Sequence, residues 1–68
     1  MPNLFRNHIM LDIILFQKIS GGFEFRYSTD YCEEYTAWAP NAAQARAKLQ
    51  RILGWDASRF DKADFRKF

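Results

Sequence analysis

Gly21-Gly22-Phe23-Glu24-Phe25-Arg26-Tyr27 decides the fold, because a glycine pair stops one pattern and a strict alternation of ring and charge starts another. Side chains on a strand point to opposite faces with a period of two, so Phe23, Phe25 and Tyr27 share one face while Glu24 and Arg26 share the other. A double glycine between two such runs is the signature of a hairpin. The run before it, Ile9 to Ile19, holds Ile, Leu and Phe and contains neither Gly nor Pro. It reads as a long first strand with Ile9, Leu11, Ile13, Leu15 and Ile19 on one face and His8, Met10, Asp12, Ile14, Phe16 and Lys18 on the other.

Loop length fixes which faces meet. A two-residue Gly21-Gly22 loop pairs Lys18 with Phe25 and Phe16 with Tyr27. A three-residue loop, Ser20 to Gly22, pairs Gln17 with Phe25, Leu15 with Tyr27 and Ile19 with Phe23. A one-residue slip moves a whole stripe to the opposite face. The three-residue loop brings the aliphatic and aromatic stripes together, so it is the expected register, with a glycine in the left-handed region.

Downstream, Ser28-Thr29-Asp30 reads as a weaker turn, and Cys32 to Ala39 resumes the alternation with Tyr35, Ala37 and Ala39 opposite Glu34, Thr36 and Trp38. A helix follows. Asn41 is a good N-cap, Gln44 completes a capping-box spacing, and Ala42, Ala45, Leu49, Ile52 and Leu53 recur at helical intervals. Gly54 stands where a C-terminal cap belongs. The tail from Asp61 to Phe68 is read as an edge strand, whose alternating charges resist aggregation, with a second helix as the alternative. The expected class is α+β: an antiparallel three- or four-stranded sheet with one α-helix packed on one face, in the order β-β-β-α with a possible C-terminal strand. Residues 1–68 form one domain, and residues 1–8 are expected to be a flexible N-terminal segment in which no secretory leader is read.

Composition narrows the chemistry. The chain has 68 residues, one Cys and one His, so neither an internal disulfide nor a structural zinc site can be built from it. A domain of this size buries only about 60% of its unfolded surface. Self-association or a partner is therefore an expected support, with a homodimer as the default assembly. Ten basic and eight acidic residues give a net charge of +2, short of the concentrated field of a dedicated nucleic-acid binder. The most apolar run, Ile9 to Phe16, is too short for a bilayer span and contains Asp12. A cytoplasmic protein without a membrane role is expected, and the lone cysteine fits a reducing compartment.

No catalytic set is found. Cys32 is followed by Glu33 and Glu34, whose charges disfavour a thiolate, and it reads as a small buried or half-buried strand residue. His8 reads as a surface or capping residue, and a start at Met10 would remove it. Glu33 and Glu34 would point to opposite strand faces, and Asp61 with Asp64 reads as solvated charge, so neither pair shares a proton. No enzyme activity, metal or cofactor is expected.

Two resemblances bear on function. Gly22-Phe23-Glu24-Phe25-Arg26-Tyr27 partly resembles the aromatic ribonucleoprotein signature of RNA-recognition motifs, in which rings on a sheet stack bases. It departs from that pattern at Glu24 and Arg26, and it lacks the basic residue before the glycine. The competing reading makes Phe23, Phe25 and Tyr27 a core stripe beneath the helix. In size and architecture the chain is also similar to the small inhibitors that bacterial viruses and mobile elements make against host enzymes and defence complexes.

With the odd-numbered stripe as core, the outer sheet face carries Asp12, Ile14, Phe16, Lys18, Glu24, Arg26, Thr36 and Trp38. Unless the tail rings Trp55, Phe60, Phe65 and Phe68 fold over it, that face has the composition of a protein-binding surface. The expected anchors are Phe16, Arg26 and Trp38, with Lys18 and Glu24 at the rim. The expected function is a non-enzymatic protein-binding module that regulates or inhibits a larger complex. The alternative is a nucleic-acid or ribonucleoprotein module using Arg26, Arg46, Lys48 and Arg51.

Overall fold

The computed structural model describes residues 12–29 and 31–67. The elements are β1 (Ile13–Ile19), β2 (Gly22–Ser28), β3 (Glu34–Ala39), α1 (Ala42–Leu53), α2 (Ala57–Asp61) and β4 (Asp64–Lys67). The strands form one sheet in the order β3-β2-β1-β4. The β1–β2 and β2–β3 pairs are antiparallel, whereas β4 runs parallel to β1. The α+β class, the packed helix and the C-terminal strand match the expectation. The sheet is mixed because a strand returning through two helices enters beside β1 in β1's own direction. The expectations for residues 1–8, His8 and Met10 lie outside the described residues.

Helix α1 forms where its end signals predict. Asn41 is extended and its Oδ1 accepts from the Gln44 backbone N–H at 2.9 Å. Gly54, at φ 73°, closes the other end with its N–H on the Gln50 carbonyl. The tail forms the expected strand, and a short helix precedes it. Asp56 caps the short helix α2 through the Arg59 N–H at 2.8 Å, and β4 follows at Asp64.

The β1–β2 register differs from both loops weighed above. Ile19 pairs with Gly22 and Phe16 with Phe25, so the loop is Ser20-Gly21. Both loop residues have positive φ, 55° and 75°, the pattern of a two-residue turn that matches strand twist. Gly22 is the first residue of β2, and a close approach demands it. A Cβ there would overlap the Ala39 carbonyl oxygen and lie 2.6 Å from Trp38 Cζ2.

This register inverts β1 relative to the expectation. The covered face carries Ile14 and Phe16, not Ile13, Leu15 and Ile19. Ile14 is fully buried while Ile13 is 41% exposed. Phe16 stacks on Phe25 at 5.5 Å between ring centroids. The stripe Phe23, Phe25 and Tyr27 does lie beneath the helix. Phe25 is buried, and the other two pack against the core of Ile14, Ala37, Ala39, Ala45, Leu49 and Phe60. Phe60 sits at the centre of a ring cluster, edge-on to Trp55 and Phe65 at 6.2 and 5.5 Å. Arg46 spreads over the Phe60 and Phe65 rings and reaches Asp61 at 3.0 Å. Cys32 is also corrected. It lies in the β2–β3 loop, exposed, at φ 68°. That loop is closed by Thr29, whose Oγ1 accepts from the Tyr31 and Glu33 N–H groups.

Candidate functional site

Both helices pack on the face of Ile14, Phe25 and Ala37, which leaves the opposite sheet face to solvent among the described residues. The rings that could have covered it do not. Trp55 meets Tyr27 at 4.7 Å, and Phe60 and Phe65 join the same cluster, all on the helix side. Phe68 lies outside the described residues. The open face, read through the registers, carries Ile13, Leu15, Gln17 and Ile19 from β1, Glu24 and Arg26 from β2, Glu34, Thr36 and Trp38 from β3, and Asp64 and Arg66 from β4.

Trp38 is 42% exposed and lies flat over Gly22. Its Nε1–H donates to the Ile19 carbonyl at 3.0 Å, which fixes the ring against the end of β1. Ile19, 40% exposed, extends this apolar patch. A second patch, Ile13 and Leu15, lies further along β1. A polar band separates the two. Gln17 Nε2 donates to Glu24 Oε1 at 2.8 Å, and Arg26 bridges Glu24 and Glu34 at 3.5 Å each. These contacts set one guanidinium between two carboxylates, so the band is a paired polar surface and not an open basic patch. Along β4 the Asp64–Arg66 pair at 2.8 Å forms the rim.

Of the five residues expected at the site, Glu24, Arg26 and Trp38 come together here. Phe16 and Lys18 belong to the other face, because even-numbered β1 residues point toward the helices; Phe16 is half-buried against the core and Lys18 is exposed near the strand's end. Sequence reasoning missed Ile13, Leu15, Gln17 and Ile19 as face residues. The signal that could have found them is Ser20, which together with Gly21 forms the turn and so shifts the register.

A second polar cluster is structural. Arg59 holds Asp12 through Nε to Oδ2 at 2.9 Å and Nη2 to Oδ1 at 3.2 Å, while stacking 3.7 Å above Trp55. The Tyr27 hydroxyl donates to the same carboxylate, and the Asp64 N–H donates to the Asp12 carbonyl. This corner ties α2 and β4 to the start of β1. The Arg59 hydrogen bonds hold the Asp12 carboxyl below its ordinary value against the opposing effect of burial, with the Arg59 charge and the Tyr27 hydroxyl assisting. A depressed carboxyl contributes stability above its unfolded value, about 3.9, and loses it as pH falls through the folded value. Asp12→Asn is therefore expected to lower the melting temperature at neutral pH and to flatten its decline below about pH 4. Melts across pH check this; an unchanged acid limb would remove the corner from the account.

Among the described residues no group of His, Cys, Asp and Glu could hold a metal ion, and no helix is long and apolar enough to cross a membrane. No protein-family model, characterised protein or solved structure matches the chain.

Proposed function

We propose that the chain is a non-enzymatic protein-binding module, a small cytoplasmic regulator or inhibitor of a larger protein complex, of the kind phages and mobile elements make. The observation that carries this reading is the open sheet face, where Trp38, Ile19, Ile13 and Leu15 stand exposed or half-buried around a paired polar band. An antiparallel face can remain solvated, but one normally does so with polar side chains. Large hydrophobes beside a fixed Trp and Arg give the composition of an interface centre with a polar rim.

The nucleic-acid reading draws less support. The rings Phe23, Phe25 and Tyr27 lie beneath the helices, so they offer no stacking platform. Arg26 and Arg46 are engaged with carboxylates.

The test is capture of partners from native lysate on tagged protein, with and without nuclease, using wild type and Trp38→Ala. A discrete protein complex that survives nuclease and disappears with Trp38→Ala is expected. Trp38 is 42% exposed but packs on Gly22 and bonds the Ile19 carbonyl, so its truncation should cost about 2–3 kcal/mol, and the variant's melt is recorded beside the capture. Complete loss of partners on nuclease treatment, with steep salt dependence, would move the function to nucleic acid.

A further inference from the structure

The two edges of the sheet are unequal. Strand β4 is short and reads Asp64-Phe65-Arg66-Lys67, three charges in four residues. Charge and shortness are how edge strands resist added strands. Strand β3 is longer, Glu34-Tyr35-Thr36-Ala37-Trp38-Ala39, with a single charge and no proline.

Hydrogen-bond parity shows what β3 offers. In an antiparallel ladder, opposed residues alternate between pairs that exchange both backbone bonds and pairs that exchange none. The Thr29 N–H donates to the Glu33 carbonyl at 2.9 Å, continuing the β2–β3 register beyond Ser28↔Glu34. Bonding pairs are therefore 29↔33, 27↔35, 25↔37 and 23↔39. The close approach of the Ala39 carbonyl to Gly22 agrees with this. By the same alternation, the N–H and C=O groups of Glu34, Thr36 and Trp38 point away from β2, toward the edge left without a strand among the described residues. Lys48 confirms one of them from outside the sheet, its Nζ donating to the Trp38 carbonyl at 3.3 Å.

Lys48 also fixes the chemistry of that flank. Residues three and four apart share a helix stripe, so Arg51 and Ile52 lie beside Lys48 along the β3 side of α1. Neither Lys48 nor Arg51 forms an ion pair among the described residues, and both are exposed. Ile52 is 46% exposed. A second copy laid against this edge in antiparallel fashion would set the two basic stripes side by side, which disfavours self-pairing.

We propose that the β3 edge accepts an extended segment of a partner protein as a fifth strand, and that this segment carries acidic side chains on its helix-facing side. Backbone bonds to Glu34, Thr36 and the Trp38 N–H supply the pairing, while the Trp38 carbonyl keeps its Lys48 bond. Lys48 and Arg51 select the acidic residues, and the opposite side of the added strand extends the open face beside Trp38. The proposal rests on the protein-binding reading and names the partner's chemistry.

The probe is a blocked peptide of alternating Val and Glu, with alternating Val and Lys as control, followed through the backbone amides by NMR. The Val-Glu peptide is expected to shift the Glu34, Thr36 and Trp38 amides and to slow their exchange. It should bind on the order of tenfold more tightly than the Val-Lys peptide, since two exposed charge contacts change from attractive to repulsive. Lys48→Glu/Arg51→Glu should reverse that preference. Thr36→Pro, which removes an outward N–H at an edge position where proline is tolerated, should abolish pairing. Ile13→Lys should leave it intact, so loss of the native partner in that variant separates failure of the face from failure of the edge. No amide response, equal response to both peptides, response to RNA at the same amides, or self-association that Thr36→Pro abolishes would each overturn the proposal.

Discussion

Phe60→Ala is expected to leave the protein largely unfolded at room temperature. Phe60 is fully buried, it contacts the Trp55 and Phe65 rings edge-on, and Arg46 covers its face. Phe-to-Ala changes in a core cost about 3–5 kcal/mol through lost transfer energy and the residual cavity. A chain of this size holds in total roughly 3–10 kcal/mol by per-residue scaling. Little remains to offset such a loss, because a single cysteine allows no internal disulfide. The cost also propagates. Phe60 is the buried residue of α2, so its removal frees the segment that delivers Arg59 to Asp12 and β4 to β1. Denaturant unfolding followed by circular dichroism checks this. Phe60→Leu, which retains most of the volume, is expected to stay folded with a lower midpoint. A folded Phe60→Ala protein with near-native stability would show that α2 is not part of the cooperative core.

Ile14→Lys and Ile13→Lys form the second test, and the order of the two results matters more than either alone. Ile14 has no exposed surface, so a lysine there buries an ammonium among Phe25, Leu49 and Phe60 with no partner, at a cost of several kcal/mol. Ile13, at 41% exposure, points to the open face, and lysine there should change stability by about 0.5 kcal/mol or less. The register expected from the sequence demands the opposite order, with Ile13 inside. Thermal melts of both variants decide between the two faces.

That reversal shows where the sequence was readable and where it was not. Helix α1 was legible because its ends carry chemistry with few alternatives: Asn41 accepts from an orphan N–H, and Gly54 adopts a left-handed cap. The Phe23-Phe25-Tyr27 stripe was legible because its neighbours are charged. Strand β1 was not, because both of its faces are apolar. Ile13, Leu15 and Ile19 compete with Ile14 and Phe16, and hydrophobicity alone cannot rank them for a strand between two others. The tie is broken by the turn, where Ser20 adopts positive φ and releases Gly22 from the loop. Gly22 is needed instead beneath the Trp38 ring, a contact between residues far apart in sequence. Parallel entry of β4 depends on the path of two helices, and local pattern does not report it. Glu24, Arg26 and Trp38 were legible as face residues because they alternate with core residues on strands whose faces differ. Phe16 and Lys18 were displaced by the same one-residue shift that moved β1.

The proposed function places protein binding on the face opposite the helices. The most direct measurement is partner capture on Ile13→Lys, from nuclease-treated native lysate, alongside its melting curve. The expected result is a protein that melts like wild type and has lost its partner, since a new ammonium beside Leu15 disrupts the proposed interface without entering the core. A variant that melts like wild type and retains the full complement of partners would contradict it.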